Sequence, residues 1–113
     1  MDDRFLQQLK KGALEMLVLH ALCQKPTYGY ELITDLKRRS GDMFALKEGT
    51  LYPILYRLED EGMIASSWSQ GEGKTAPKKI YAPTEKGRQE LVRRQAVWEM
   101  FSGAVNDLIR EDE

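Results

Sequence analysis

A chain of 113 residues provides one domain with a modest core and leaves no room for a second full domain. Its 42% hydrophobic and 31% charged residues are ordinary for a folded protein, so disorder is expected only in the acidic tail from Arg110 to Glu113. A net charge of −1 runs against the basic balance usual for nucleic-acid binders, no run of about 18 apolar residues is present to span a membrane, and one cysteine excludes an intrachain disulfide. Met1-Asp2-Asp3-Arg4 begins acidic and leads into an amphipathic helix rather than a signal-peptide core, so a cytoplasmic protein is expected.

From about Asp3 to Cys23, Phe5, Leu6, Leu9, Ala13, Leu14, Leu17, Val18, Ala21 and Leu22 recur at helical spacing. They predict a first helix of about five turns. Met16 and Leu19 widen the apolar surface of its second half, which should be enclosed on most sides. His20 and Cys23 stand one turn apart, but there is no other His or Cys to complete a zinc site, and packing is the better explanation. Pro26 ends this helix, and Thr27-Tyr28-Gly29-Tyr30 is long enough for a bridging strand or tight turn. Leu32, Ile33 and Leu36 mark the buried side of a second helix closed by Ser40-Gly41. Lys37, Arg38 and Arg39 on its other side complement the helix dipole or meet backbone phosphates.

Leu46 to Ile64 holds the most regular pattern in the chain. Leu51, Ile54, Leu55 and Leu58 fall at i, i+3, i+4 and i+7 and line one face of a third helix. Pro53 requires that helix to start near Glu48 or Gly49, and Gly62 suits a left-handed C-terminal cap. Thr50, Tyr52, Pro53, Tyr56 and Arg57 lie outside the apolar stripe, where a groove-reading helix presents its side chains. Arg57 can clamp a phosphate, pair with Glu61, or pair with an acid on a neighbouring helix. Tyr52 and Tyr56 can reach DNA or pack their rings at a helix–hairpin boundary.

After Gly62 the period changes to two. Ile64, Ser66 and Trp68 alternate with Ala65 and Ser67, and in Lys78 to Ala82 the pair Ile80 and Ala82 alternates with Lys79 and Tyr81. The two segments predict a β-hairpin leaning on the helices through Ile64, Ile80 or Trp68. Its tip, Ser69 to Pro77, is loop chemistry and carries Lys74. Lys74, Lys78 and Lys79 are candidate phosphate contacts, with a solvated hairpin as the bland alternative. Thr84 is a candidate N-cap for a last helix running to about Ile109, roughly 35 to 40 Å long. Leu91, Trp98, Phe101, Val105 and Leu108 keep a three-four spacing along it, broken at Arg94, as in a coiled-coil seam. That helix, with Phe5 and Leu9 of the first, is expected to meet a second copy in a two-fold homodimer.

The expected fold is mainly α with a small β-hairpin: a winged helix-turn-helix over residues 1–83, then a dimerisation helix and acidic tail over 84–113. The motifs Tyr28-Gly29-Tyr30-Glu31-Leu32, Gly49-Thr50-Leu51-Tyr52-Pro53 with Arg57-Leu58-Glu59 and Gly62, and Lys78-Lys79-Ile80-Tyr81 followed by Thr84-Glu85-Lys86-Gly87 are present in that order. The chain resembles the PadR family of transcriptional regulators, in its short subfamily with one C-terminal helix, along nearly its whole length. Ala82-Pro83 departs from the pattern, which more often has Leu before the threonine. The resemblance implies a dimeric, usually repressing protein that binds double-stranded DNA at an inverted-repeat promoter site and often responds to a small molecule. It places Trp98 where drug-responsive members stack planar ligands, and Trp68 is a second candidate wall; ordinary interface packing is the alternative for Trp98. No cofactor is implied. A winged-helix protein–protein module is the competing reading, favoured by the near-neutral charge. An enzyme is poorly supported, because the single His stands without a phosphate loop, a Cys/His cluster or an activated nucleophile.

Overall fold

The computed structural model describes residues 3–71, 73 and 75–111. The elements run α1 (Asp3–Gln24), α2 (Gly29–Arg39), α3 (Glu48–Asp60), β1 (Ile64–Trp68), β2 (Lys79–Pro83) and α4 (Glu85–Arg110). The order matches the sequence pattern, because the period shifts and punctuating residues fall where the chain changes state. Ser40 caps α2, Gly41 and Asp42 take positive φ of 59° and 69°, and α3 begins at Glu48, five residues before Pro53. Gly62, at φ 76°, turns the chain from α3 into β1.

The core is built by Val18, Leu19, Ala21 and Leu22 of α1, Leu32 and Leu36 of α2, and Leu51, Ile54, Leu55 and Leu58 of α3. Met63, Ile64 and Tyr81 close it from the hairpin, and Leu91 closes it from α4. Each such side chain contributes about 1.5–3 kcal/mol relative to exposure, so the four α3 residues fix that helix firmly on the body.

The hairpin leans on the helices through Ile64, one of the three residues expected to do so, while Ile80 and Trp68 do not anchor it. In the antiparallel register Ile64 opposes Pro83, Ser66 opposes Tyr81 and Trp68 opposes Lys79. Tyr81 is 1% exposed, so the face carrying Lys79 and Tyr81 turns inward, and Ile80 is only half-buried. Trp68 does not anchor the hairpin either, being 69% exposed. The reason is a third strand-like contact: Thr27 and Tyr81 exchange backbone N–H···O bonds of 3.2 and 2.8 Å, which pins β2 against the segment before α2. Thr27 Oγ1 in turn donates to Glu31 at 2.8 Å, which also receives Lys25 Nζ at 3.0 Å, and these bonds hold the Glu31 carboxyl below its ordinary pKa.

Thr84 caps α4 by accepting from Gly87 N at 3.1 Å, while its hydroxyl donates to Gly62 O at 2.6 Å and its amide to Met63 O at 3.0 Å. Gly87 is buried against the Met63 backbone, a position no side chain could share. Leu91, one turn further on, is a core residue of this chain, although its spacing places it on the α4 seam. Past its contacts with α1 at Arg94 and Gln95, α4 extends away from the body, and the molecule measures 62 × 34 × 21 Å. No helix among the described residues is long and apolar enough to cross a membrane.

Candidate nucleic-acid interface

The outer side of α3 is set by its inner side. With Leu51, Ile54, Leu55 and Leu58 buried, the helical repeat turns Gly49, Pro53, Tyr56 and Asp60 most directly outward, and all four are exposed. Thr50 and Arg57 occupy the edge facing α1, where they join Lys11, Glu15 and Pro53 around a cleft of about 180 Å³. Tyr52 lies on the opposite edge and is half-buried, with its ring over Gly29 at the start of α2. A methyl on Gly29 would meet the phenol end of Tyr52, standing 2.9 Å from its Cζ, so the ring would have to shift to admit one. The Tyr52 and Tyr56 rings are 6.1 Å apart and tilted by 38°, and only Tyr56 stays largely exposed. Of the two tyrosines, Tyr52 thus serves packing and Tyr56 faces solvent.

Arg57 pairs with an acid on a neighbouring helix, its Nη2 standing 3.6 Å from Glu15 Oε2 on α1. The same carboxylate faces Arg94 of α4 at 3.9 Å, and Arg94 also donates to Glu90 at 3.0 Å. Arg93 adds a bond of 2.6 Å to Glu90, and the two guanidinium groups lower the Glu90 pKa to about 2. Arg94 breaks the apolar seam because it belongs to this network, which joins α1, α3 and α4. The network was not legible in the sequence, since its partners lie far apart in the chain. The sequence also passed over Lys47, which is exposed at the N-cap of α3; its place one residue before the helix start was the available signal.

Lys78 is exposed and its ammonium stands 4.2 Å from the Tyr28 ring centroid, while Lys79 is half-buried with its ammonium 5.5 Å from the Tyr81 ring centroid. These contacts hold both lysines close to the body on the returning strand. Lys74 lies outside the described residues. On α2, Arg38 and Arg39 are both engaged by Asp35, at 2.8 and 3.1 Å.

A second feature lies between the first half of α1 and the middle of α4. A groove of about 960 Å³ runs there over Leu9, Met16, Val97, Trp98, Phe101 and Val105, with Glu15, Arg93 and Arg94 also lining it. Trp98 is part of this lining; Trp68, on the hairpin, is not, so the structure does not bring the two tryptophans together. Phe5, Leu9, Trp98, Phe101, Val105 and Leu108 are all exposed. Val97, missed by the sequence reading, precedes Phe101 by one helical turn, and the spacing rule that selected Phe101 could have included it. His20 contacts Gln95 of α4 at 3.2 Å, and burial pushes the Cys23 thiol above its ordinary pKa.

A helix-turn-helix whose third helix stands beside a two-stranded hairpin is a winged helix. The model of the transcriptional regulator PadR-like family matches residues 18–93, and the chain belongs to that family. It is 34% identical to a PadR family transcriptional regulator of Eggerthella lenta, covering 94% of this chain and 89% of that one with a TM-score of 0.82. It is 28% identical to the transcriptional regulator Rv3488 of Mycobacterium tuberculosis, over 84% of this chain and 85% of that protein. The negative transcriptional regulator PadR of Bacillus subtilis is 32% identical over 69% of this chain, which spans 42% of that longer protein. Members of the family are transcriptional regulators, so the chain is a regulator and not an enzyme.

Proposed function

We propose that the chain is a sequence-specific DNA-binding repressor that acts in the cytoplasm as a homodimer, reads an inverted-repeat promoter site and is released by a small flat aromatic molecule. The observation that carries this reading is the posture of α3. Four buried side chains hold it rigidly while Pro53 and Tyr56 stay exposed beside a lysine-bearing hairpin. Thr50, Pro53 and Tyr56 are the side chains offered to the groove; Tyr52 contributes by packing, and Arg57 reaches a phosphate only by leaving Glu15. Lys78 and Lys79, with Lys74, supply phosphate contact. Residues 1–83 form the DNA-binding unit, with the first two turns of α4 seated in its core, and the rest of 84–113 is the dimerisation helix and acidic tail. The exposed row from Trp98 to Leu108, with Phe5 and Leu9, supports pairing with a second copy, and the groove beside Trp98 supports an aromatic ligand. The name of the Bacillus subtilis relative supports repression.

The test is titration of the purified protein with a duplex from its own upstream promoter and with a scrambled duplex, at two salt concentrations. The promoter duplex should bind at least about a thousandfold more tightly. Equal affinity for both, or none, would refute the reading and leave the protein–protein module standing. Sedimentation equilibrium should give twice 13.0 kDa.

A further inference from the structure

We propose that Trp68 is a DNA-contacting residue of the wing that packs its indole against the deoxyribose edge of the duplex, an inference that rests on the DNA-binding reading. Residues opposite one another in an antiparallel pair share a face, and that face repeats every second residue. Ile64 with Pro83, Ser66 with Tyr81, and Trp68 with Lys79 therefore lie on one side of the hairpin. The first two pairs identify that side as the one turned toward the body: Ile64 and Tyr81 are buried, and the Ser66 hydroxyl donates to Glu59 of α3. The third pair continues the same face past the end of the contact with α3. There the indole is 69% exposed, and it does not line the groove that holds Trp98.

Across the angle between hairpin and helix, Tyr56 is 52% exposed and close enough to Tyr81 to help raise that phenol's pKa, after the larger effect of burial. The hairpin side of this angle thus ends in Trp68 and Lys79, past the Ser66–Glu59 bond, and Tyr56 is exposed on its α3 side. A nucleic-acid strand lying in it presents two chemistries in alternation. Its phosphates suit the ammonium of Lys79. Its deoxyribose edge is largely C–H surface and suits an indole face, with one N–H left to donate. On the opposite hairpin face Ser67 opposes Ile80, and Lys78 beyond them holds its ammonium over the half-buried Tyr28 ring rather than beside an exposed indole.

Apolar contact releases no counterions, whereas each phosphate contact does. This separates Trp68 from its neighbours by experiment. Trp68→Ala should weaken binding to the chain's own upstream promoter duplex about tenfold while leaving the slope of log affinity against log salt unchanged, and Trp68→Phe should keep most of the affinity. In a Trp98→Phe background, where Trp68 is the one indole, saturating duplex should cut acrylamide quenching at least about threefold. Unchanged affinity of Trp68→Ala, or unchanged quenching on DNA binding, overturns the proposal. A slope lowered by about one assigns the loss to a displaced Lys79 and overturns it as well. If the unmodified protein binds no duplex even at low salt, the DNA-binding reading fails and this inference fails with it; binding with Trp68 still fully quenchable removes the inference alone.

Discussion

Replacing Gly87 by alanine should destabilise this protein, although a glycine-to-alanine change in a helix ordinarily stabilises by up to about 1 kcal/mol. Gly87 lies in the first turn of α4, over the peptide that joins α3 to β1. A Cβ there would overlap the Met63 carbonyl oxygen and stand 2.9 Å from the carbonyl carbon and 3.3 Å from Met63 Cα. Carbon atoms pack at about 3.5–4.0 Å, so the start of α4 must retreat by on the order of an ångström. The obstacle is backbone, which cannot swing aside as a side-chain tip would. Retreat also stretches the Thr84 amide bond to Met63 O and the Thr84 hydroxyl bond to Gly62 O, and it lifts Leu91 from the core one turn later. Overpacking at about 1–3 kcal/mol and two weakened bonds at about 1 kcal/mol each, less a propensity gain of about 1 kcal/mol, leave a net loss of about 2–4 kcal/mol. For a domain with about 5–15 kcal/mol of stability that is a large fraction. Urea unfolding followed by far-ultraviolet circular dichroism, at one fixed protein concentration, should show the midpoint fall by about 1–2 M. Gly49→Ala is the control, because nothing lies within 4 Å of its added methyl, and its midpoint should stay level or rise slightly. A Gly87→Ala midpoint equal to or above that of the unmodified protein would refute the close-approach argument.

Three further outcomes follow from the geometry. The Glu90 carboxyl, held at about 2 by the hydrogen bonds of Arg93 and Arg94, lies below its ordinary 4.5. Its stabilisation is therefore complete above about pH 4.5 and lost as pH falls toward 2, so the stability gap between the unmodified protein and Glu90→Gln should close over that window; a gap independent of pH would contradict the pairing. Replacing Lys74, Lys78 and Lys79 together by alanine should flatten the salt slope of promoter binding by up to about three units, and an unchanged slope would remove the wing from the phosphate contacts. A planar aromatic compound should quench tryptophan fluorescence, and Trp98→Ala should abolish this while the protein remains a dimer by sedimentation. Loss of quenching only together with loss of the dimer would instead make Trp98 a packing residue.

The sequence alone determined the elements and the inner face of α3. A helix buried along one stripe writes that stripe into its spacing, so Leu51, Ile54, Leu55 and Leu58 could be assigned to the core before any coordinates. The turns were legible for the same local reason: Gly62 takes the positive φ that few other residues tolerate, and Thr84 caps α4 with its own hydroxyl. The tertiary structure decided what local pattern leaves degenerate. A two-stranded hairpin with Ile80 on one face and Tyr81 on the other has two acceptable orientations, and the Thr27 bridge selects the one that buries Tyr81. Helical spacing likewise continues from Leu91 to Leu108 with only the break at Arg94, because periodicity does not record where the body beneath a helix ends; packing makes Leu91 core and leaves the later residues exposed. Gly87 stands in the sequence only as the end of the Thr84-Glu85-Lys86-Gly87 motif, and the structure shows it to be the place where α4 touches the backbone of Met63. Glu15, Arg57 and Arg94 gain their meaning only together, since an ion pair between helices depends on distances that the chain's order does not contain.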